Sequence, residues 1–131
     1  MNTDKGAFAD VAVRQAVALS IDREALSELT DGAVLPAYSM IYDSMQGFSQ
    51  EAKDNFQANY ANDRERAKQI LADAGYTDSN GDGYVDKNGT NVEFTFYSWS
   101  TGPNVIVSQG LQEQLKQVGI KMNIEALDWN Y

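Results

Sequence analysis

The most regular hydrophobic pattern lies in the last third of the chain. Residues 92–97 alternate between apolar and polar side chains, which is the period of two of a half-buried strand. Residues 104–118 then repeat apolar side chains at helical spacing, and Gly119 follows as a helix-terminating glycine. Alternation returns over residues 120–126. A strand, a helix and a second strand in this order predict a βαβ unit with two parallel strands and a right-handed crossover.

Apolar side chains at helical spacing predict further helices earlier in the chain. They cover residues 10–20, 23–30 and 63–74, with a helical turn or two over 50–58. Asp10 and Asp22 are the expected N-caps of the first two helices. Asn62 and Glu65 have the spacing of a capping box at the start of the third. Together with the βαβ unit, these elements predict an α/β fold in which helices pack on a small mixed sheet.

The composition limits the functions that this chain can carry. Its 131 residues include no cysteine and no histidine. The usual general base, the commonest metal ligand and any thiolate site are therefore missing, and we expect no enzymatic activity. The net charge of −9 disfavours nucleic acid and anionic membranes as partners. No apolar run approaches the ~18 residues of a membrane-spanning helix, so we expect no membrane insertion.

An aspartate-rich loop at residues 78–86 has the spacing of a calcium site. Oxygen-bearing groups fall at the first, third, fifth, seventh and ninth positions of an EF-hand-type loop, with Gly83 at the sixth. The metal ligands would be Asp78, Asn80, Asp82, the carbonyl of Tyr84, and Asp86. Gly89 stands where such a loop places its bidentate glutamate. We therefore expect no tightly held cofactor and at most weak calcium binding.

The same loop has a purely structural interpretation. Asparagine, aspartate and glycine in this pattern are typical of Asx turns. The loop then leads into a hairpin with arms at residues 84–86 and 91–97, joined by a type I′ turn at Asn88-Gly89. Both interpretations of the loop remain open at the level of the sequence.

Polar and aromatic side chains cluster where the two predicted strands end, which is where ligands of open α/β sheets bind. These candidate ligand-binding residues are Tyr97, Ser98, Trp99, Ser100, Thr101 and Trp129. Trp99 can stack on a ligand, or it can cover the sheet edge. The hydroxyl groups of the loop can donate hydrogen bonds to a ligand, or they can cap the helix at Asn104. The N-terminus of that helix is also a place where backbone N–H groups meet a carboxylate.

Four stretches of the chain resemble, in the same order, the extracellular solute-binding proteins of ABC transporters, family 5. Residues 10–26 (DVAVRQAVALSIDREAL) resemble the D-x-x-V-R-Q-A…A-I-D-R-x-x-L segment of that family. Residues 32–37 (GAVLPA) resemble G-x-A-x-P-A, and residues 66–76 (RAKQILADAGY) resemble A-K-x-L-L-x-x-A-G-Y. Residues 111–124 (LQEQLKQVGIKMNI) resemble L-Q-x-Q-L-x-x-x-G-I-x-x-x-I. The resemblance spans roughly residues 5–129.

The resemblance implies one lobe of a receptor with the type II periplasmic-binding-protein fold, in which two α/β lobes hold a solute between them. We expect residues 1–131 to form a single domain, part of the C-terminal lobe of a longer protein. The implied function is non-covalent capture of an oligopeptide, a dipeptide or a related solute. The implied partner is an ABC permease, at the periplasmic or extracellular face of a bacterial membrane. The alternative is a free-standing calcium-binding or protein-interaction module that uses the loop at residues 78–86.

Overall fold

The computed structural model describes residues 3–128, which form an α/β arrangement. A short 3₁₀ turn, Ala7–Ala9, precedes the first helix. The described helices are α1 (Val11–Ser20), α2 (Arg23–Leu29), α3 (Gln50–Tyr60), α4 (Arg64–Asp73) and α5 (Pro103–Lys116). The described strands are β1 (Asp86–Lys87), β2 (Thr90–Asn91), β3 (Glu93–Trp99) and β4 (Lys121–Leu127). The predicted helices are confirmed with small shifts at their ends, and the helical turns expected over 50–58 are a full helix of 11 residues.

The strands form two small sheets. β3 and β4 pair in parallel along their whole length, with Tyr97 opposite Glu125. Helix α5 connects them, so the parallel βαβ unit is confirmed. β1 and β2 pair antiparallel around Asn88 and Gly89, whose φ values of 55° and 74° suit the predicted type I′ turn.

The hydrophobic core lies on one face of the β3–β4 sheet. On β3, Phe94 and Phe96 turn towards the helices, and the residues between them are exposed. The most deeply buried apolar side chains of the core are Val13, Ala16, Leu19, Ala67, Leu71, Leu115 and Ile120. Helices therefore cover one side of the sheet, while β3 presents alternate exposed side chains on the other.

A buried glutamine ties α5 to the junction between α1 and α2. The Gln114 side chain accepts a hydrogen bond from the Asp22 N–H (2.9 Å) and donates one to the Asp22 carbonyl (3.2 Å). Asp22 also caps α2 by accepting from the Ala25 N–H (3.0 Å), as predicted. Further along, a Cβ on Gly110 would lie 2.6 Å from Leu26 Cδ2. Helix α2 therefore runs antiparallel to α5 at close range and fixes its position on the sheet.

The capping box predicted at Asn62 and Glu65 is wrong by one residue. Asn62 donates its side-chain amide to Asp22 Oδ2 (3.1 Å) instead of capping a helix. Asp63 is the actual N-cap of α4, and its carboxylate accepts from the Arg66 N–H (3.0 Å). A carboxylate also suits the positive end of the helix dipole. The helix therefore starts one residue later than predicted, and Asn62 makes a tertiary contact instead.

The hairpin is shorter than predicted, since β1 and β2 have two residues each rather than arms at 84–86 and 91–97. Pairing ends at Val92, whose N–H donates to the Val85 carbonyl (2.9 Å) and whose carbonyl accepts from the Lys121 N–H (2.9 Å). Val92 therefore joins the hairpin to the start of the parallel sheet. The result is two linked two-stranded sheets in place of one continuous mixed sheet.

Candidate ligand-binding edge and aspartate-rich loop

The carboxyl ends of β3 and β4 lie side by side at one edge of the sheet. Trp99 is opposite Leu127, and the Ser100 N–H donates to the Leu127 carbonyl (3.0 Å). The chain then turns at Gly102, with a φ of 70°, and Pro103 opens α5. The alternative in which the loop hydroxyls cap the helix at Asn104 is therefore wrong, because the helix begins one residue earlier and has no side-chain cap.

Ser98 connects this edge of the sheet to helix α5 through hydrogen bonds. The hydroxyl oxygens of Ser98 and Ser108 are 2.7 Å apart. Both lie within hydrogen-bond distance of the Asn104 carbonyl, at 3.5 Å and 2.6 Å. Ser108 is buried. These contacts hold the first turn of α5 against β3, so the structure places Ser98 in a helix-anchoring position.

The aromatic candidates lie at the surface of the same edge. Tyr97 is 61% exposed and Trp99 is 40% exposed. They alternate with Ser98 along β3 and so point away from the helix-covered face. Thr101 is exposed in the loop between β3 and α5, residues 100–102, which we call the crossover loop. Trp129, the remaining aromatic candidate, lies outside the described residues.

A shallow groove of about 300 Å³ runs between α5 and the end of the sheet. We call it the crossover groove, and its lining includes Trp99, Val105, Gln109, Gln112, Ile124 and Ala126. The Gln112 side chain is held by a hydrogen bond from its Nε2 to the Met122 carbonyl (2.8 Å). A groove on one surface can contact only one side of a solute, whereas complete ligand sites bury most of the ligand.

Two acidic side chains at this edge were missed by the sequence analysis. Asp128 accepts a hydrogen bond from the Ser100 hydroxyl. Glu125 is exposed and lies opposite Tyr97. The signal that would have found them is the strand register, because parallel strands place residues at equal distances from their ends side by side. The number of charged residues along the chain does not show which side chains these two carboxylates lie beside.

In the aspartate-rich loop, the carboxylates bind the loop's own N–H and hydroxyl groups. Asp78 accepts hydrogen bonds from three successive backbone N–H groups at 2.7–3.1 Å. Asp86 accepts from the Ser79 hydroxyl (2.7 Å) and N–H (2.8 Å), and these bonds hold the pKa of Asp86 below its ordinary value. The Asn91 side chain and the Tyr84 N–H similarly lower the pKa of Asp82. These are the contacts of Asx turns.

This geometry accounts for the loop as a structural turn. Within residues 3–128, no group of three or more acidic side chains is placed to hold a metal ion. Calcium binding by Asp78, Asn80, Asp82, Tyr84 and Asp86 stays a prediction. None of the helices in this part of the chain combines the length and the apolar character needed to cross a membrane.

Comparison with known proteins supports the α/β fold and places the chain within longer relatives. The oligopeptide-binding protein AppA of Bacillus subtilis is 36% identical over 126 residues, which cover 94% of this chain and 22% of that protein. The structure of AppA in complex with a nonapeptide has a TM-score of 0.83 and 29% identity, and the match covers 98% of this chain and 25% of that one. The periplasmic oligopeptide-binding protein of Thermotoga maritima, bound to mannohexaose, has a TM-score of 0.81 at 26% identity, covering 99% and 25%. The chain spans about a fifth of the length of the curated relatives it matches.

The similarities therefore concern one part of a type II periplasmic binding protein. They support solute capture and give no support to a free-standing calcium-binding or interaction module. The matching family profile is that of a transport family rather than an enzyme family. It is described as bacterial extracellular solute-binding proteins, family 5 Middle, and it matches residues 1–131, so this chain belongs to that family.

Proposed function

We propose that this chain is a single domain within the C-terminal lobe of a larger solute-binding protein, and that its β3–β4 edge forms one wall of the solute cleft. The observation that carries this proposal is the parallel register of β3 and β4, which brings Tyr97, Trp99 and Ser100 to one edge beside the crossover groove. Ligands of open α/β sheets bind at such edges. The description of AppA as an oligopeptide-binding protein supports a peptide or a related solute as the ligand.

Each group at this edge has a part in non-covalent capture. Trp99 stacks on an apolar or planar part of the solute. Ser100 and Thr101 donate hydrogen bonds from the crossover loop, and Tyr97 extends the same wall. Trp129, which lies outside the described residues, stays a predicted ligand-binding residue. Pro103 has no N–H and the Val105 N–H donates to the Gly102 carbonyl (3.3 Å), so at the start of α5 the Asn104 N–H is the group that suits a carbonyl or carboxylate of the solute. Such capture uses no nucleophile and no cofactor.

Membership of the family supports a setting for this function. The larger protein works at the periplasmic or extracellular face of a bacterial membrane and delivers its solute to an ABC permease. The net charge of −9 and the absence of Lys-rich or Arg-rich runs fit a protein that does not bind nucleic acid or anionic lipid through this chain.

The isolated chain should bind only weakly, because it supplies one side of a two-sided cleft. Closing a cleft removes most of the ligand surface from water, and one wall removes roughly half of it or less. Each ~1.4 kcal/mol of lost interaction is a tenfold loss of affinity. We therefore expect dissociation constants in the millimolar range for short peptides.

An NMR titration of the ¹⁵N-labelled chain with the end-blocked tripeptide Ala-Leu-Ala tests the proposal. The indole N–H of Trp99 and the amides of Ser100 and Thr101 should shift. Trp99→Ala should weaken binding several-fold, while Tyr42→Ala, which removes a 54% exposed aromatic ring elsewhere, should leave it unchanged. Micromolar binding that survives Trp99→Ala would show that the solute binds elsewhere.

A further inference from the structure

The candidate edge lies in a part of the chain that contains no basic residue. Residues 88–115 hold no lysine or arginine, and neither do residues 122–131. The first stretch includes β3, the crossover loop and nearly all of α5. Among the described residues at the carboxyl ends of the strands, the charged groups are therefore Glu125 and Asp128. No side chain of these two stretches neutralises them.

The Glu125 carboxylate lies beside an exposed aromatic ring. Tyr97 is opposite Glu125, and Trp99 is opposite Leu127, so each ring has its neighbour on the adjacent strand. Adjacent strands are about 4.8 Å apart. A cation placed over the Tyr97 ring is therefore within reach of the Glu125 carboxylate. One position thus offers both a π face and a negative charge, the two features that attract an ammonium or guanidinium group.

Other described elements near this edge do not supply a compensating cation. The end of α2 that packs along α5 near Gly110 is followed by Asp31, and it carries Glu28. Lys121 lies at the opposite end of β4, where it pairs with Glu93 at 3.1 Å. The uncapped N-terminus of α5 contributes a positive potential, but it amounts to about half a charge and is screened by salt. The full negative charge of Glu125, directly opposite Tyr97, outweighs it at that ring.

We infer that this wall of the cleft selects peptides that carry a basic side chain, with the ammonium or guanidinium group over Tyr97 and against the carboxylate of Glu125. The adjoining apolar part of the peptide lies against Trp99 and Leu127, the next pair along the same face of the sheet. This inference rests on the proposed function, because it names the solute class of the same edge. The apolar neighbours favour a peptide over a free diamine, since a diamine has no side chain or backbone to place there.

The test is a set of NMR titrations of the chain at low ionic strength with end-blocked Ala-Lys-Ala, Ala-Leu-Ala and Ala-Glu-Ala, and with 1,4-diaminobutane. Ala-Lys-Ala should bind several-fold more tightly than the other tripeptides, with shifts at Tyr97, Trp99 and Glu125. Raising the salt to about 0.2 M should reduce that preference. Glu125→Gln should lower the affinity for Ala-Lys-Ala about two- to fivefold, the range of an exposed charge pair, and leave Ala-Leu-Ala unaffected.

Glu113→Gln is the matched control, because Glu113 is an exposed carboxylate in the last turns of α5, away from this edge. It should change nothing. Equal shifts at Trp99 with all three tripeptides would refute charge selection and keep the proposed cleft wall. No shift at this edge with any tripeptide would refute both charge selection and the proposed cleft wall. Equal binding of 1,4-diaminobutane, or Ala-Lys-Ala shifts spread over all acidic surfaces, would refute the basic-peptide assignment.

Discussion

Replacing Gly119 by alanine tests how the hairpin is joined to the βαβ unit. Gly119 has a φ of 80°, and a Cβ there would lie 2.9 Å from Val85 Cγ1 and 3.2 Å from the Val85 nitrogen. The left-handed backbone costs an L-residue about 1–2 kcal/mol. The Val85 nitrogen cannot retreat cheaply, because its N–H donates to the Gly119 carbonyl at 2.8 Å. Overpacking of this kind adds about 1–3 kcal/mol, so we expect Gly119→Ala to lower the free energy of unfolding by about 2–5 kcal/mol.

Gly81→Ala is the control that separates the two contributions. Gly81 has a nearly identical φ of 77°, but no atom lies within 4 Å of its added Cβ. Both substitutions also reduce the entropy of the unfolded chain equally, so that contribution cancels in the comparison. Urea unfolding followed by circular dichroism measures the loss of unfolding free energy for each variant. The loss is obtained from the shift in the urea midpoint, provided that the m-value is unchanged. Equal losses for the two variants, within about 0.5 kcal/mol, would show that the contact with Val85 has no energetic weight.

Three further outcomes can be measured on the same chain. Gln114→Leu should lower the free energy of unfolding by about 1–3 kcal/mol, because it leaves the N–H and carbonyl of Asp22 without their buried partner, and an unchanged midpoint would contradict this. Because hydrogen bonds from Ser79 lower the pKa of folded Asp86, its contribution to stability is complete above the ordinary aspartate pKa of about 3.9 and is lost as the pH falls below it. Asp86→Asn should flatten the loss of stability as the pH falls below about 4, and an identical pH profile would refute that role. Calcium should bind residues 78–86 with a dissociation constant of about 10⁻⁴–10⁻³ M if it binds at all. Amide chemical shifts that do not change in millimolar calcium would show that the loop is only a structural turn.

Local sequence signals were sufficient for most of the secondary structure. The alternation in β3 and β4 and the Asn88-Gly89 turn depend on neighbouring residues alone, and the structure confirms them. The start of α4 could not be predicted in this way. Two neighbouring residues, Asn62 and Asp63, are both good N-caps, and Asp63 is the one used, while Asn62 donates to Asp22, which lies 40 positions earlier in the chain. Caps respond to such contacts because they satisfy only one or two backbone groups.

The position of the candidate site was also predictable, but the roles of its side chains were not. Parallel strand order is enough to place Ser98, Trp99 and Ser100 at one edge. It does not show that the Ser98 hydroxyl meets Ser108 beneath α5, because that contact depends on how the helix lies on the sheet. The pairing of Ser100 with Asp128 likewise depends on the register between two strands joined by a long crossover.

Adjacent residues of β3 have different roles, because one face of the strand packs against the helices and the other face is exposed to a solute. Ser98 and Phe96 face the helices, while Tyr97 and Trp99 lie on the other side of the same strand. Substitutions on the exposed face, including that of Glu125 on β4, should change the free energy of unfolding by no more than about 0.5 kcal/mol. A substitution of Ser98 should instead loosen the start of α5 and move the whole crossover loop. Solute preference can therefore vary through the exposed positions while the parallel pair that positions them stays intact.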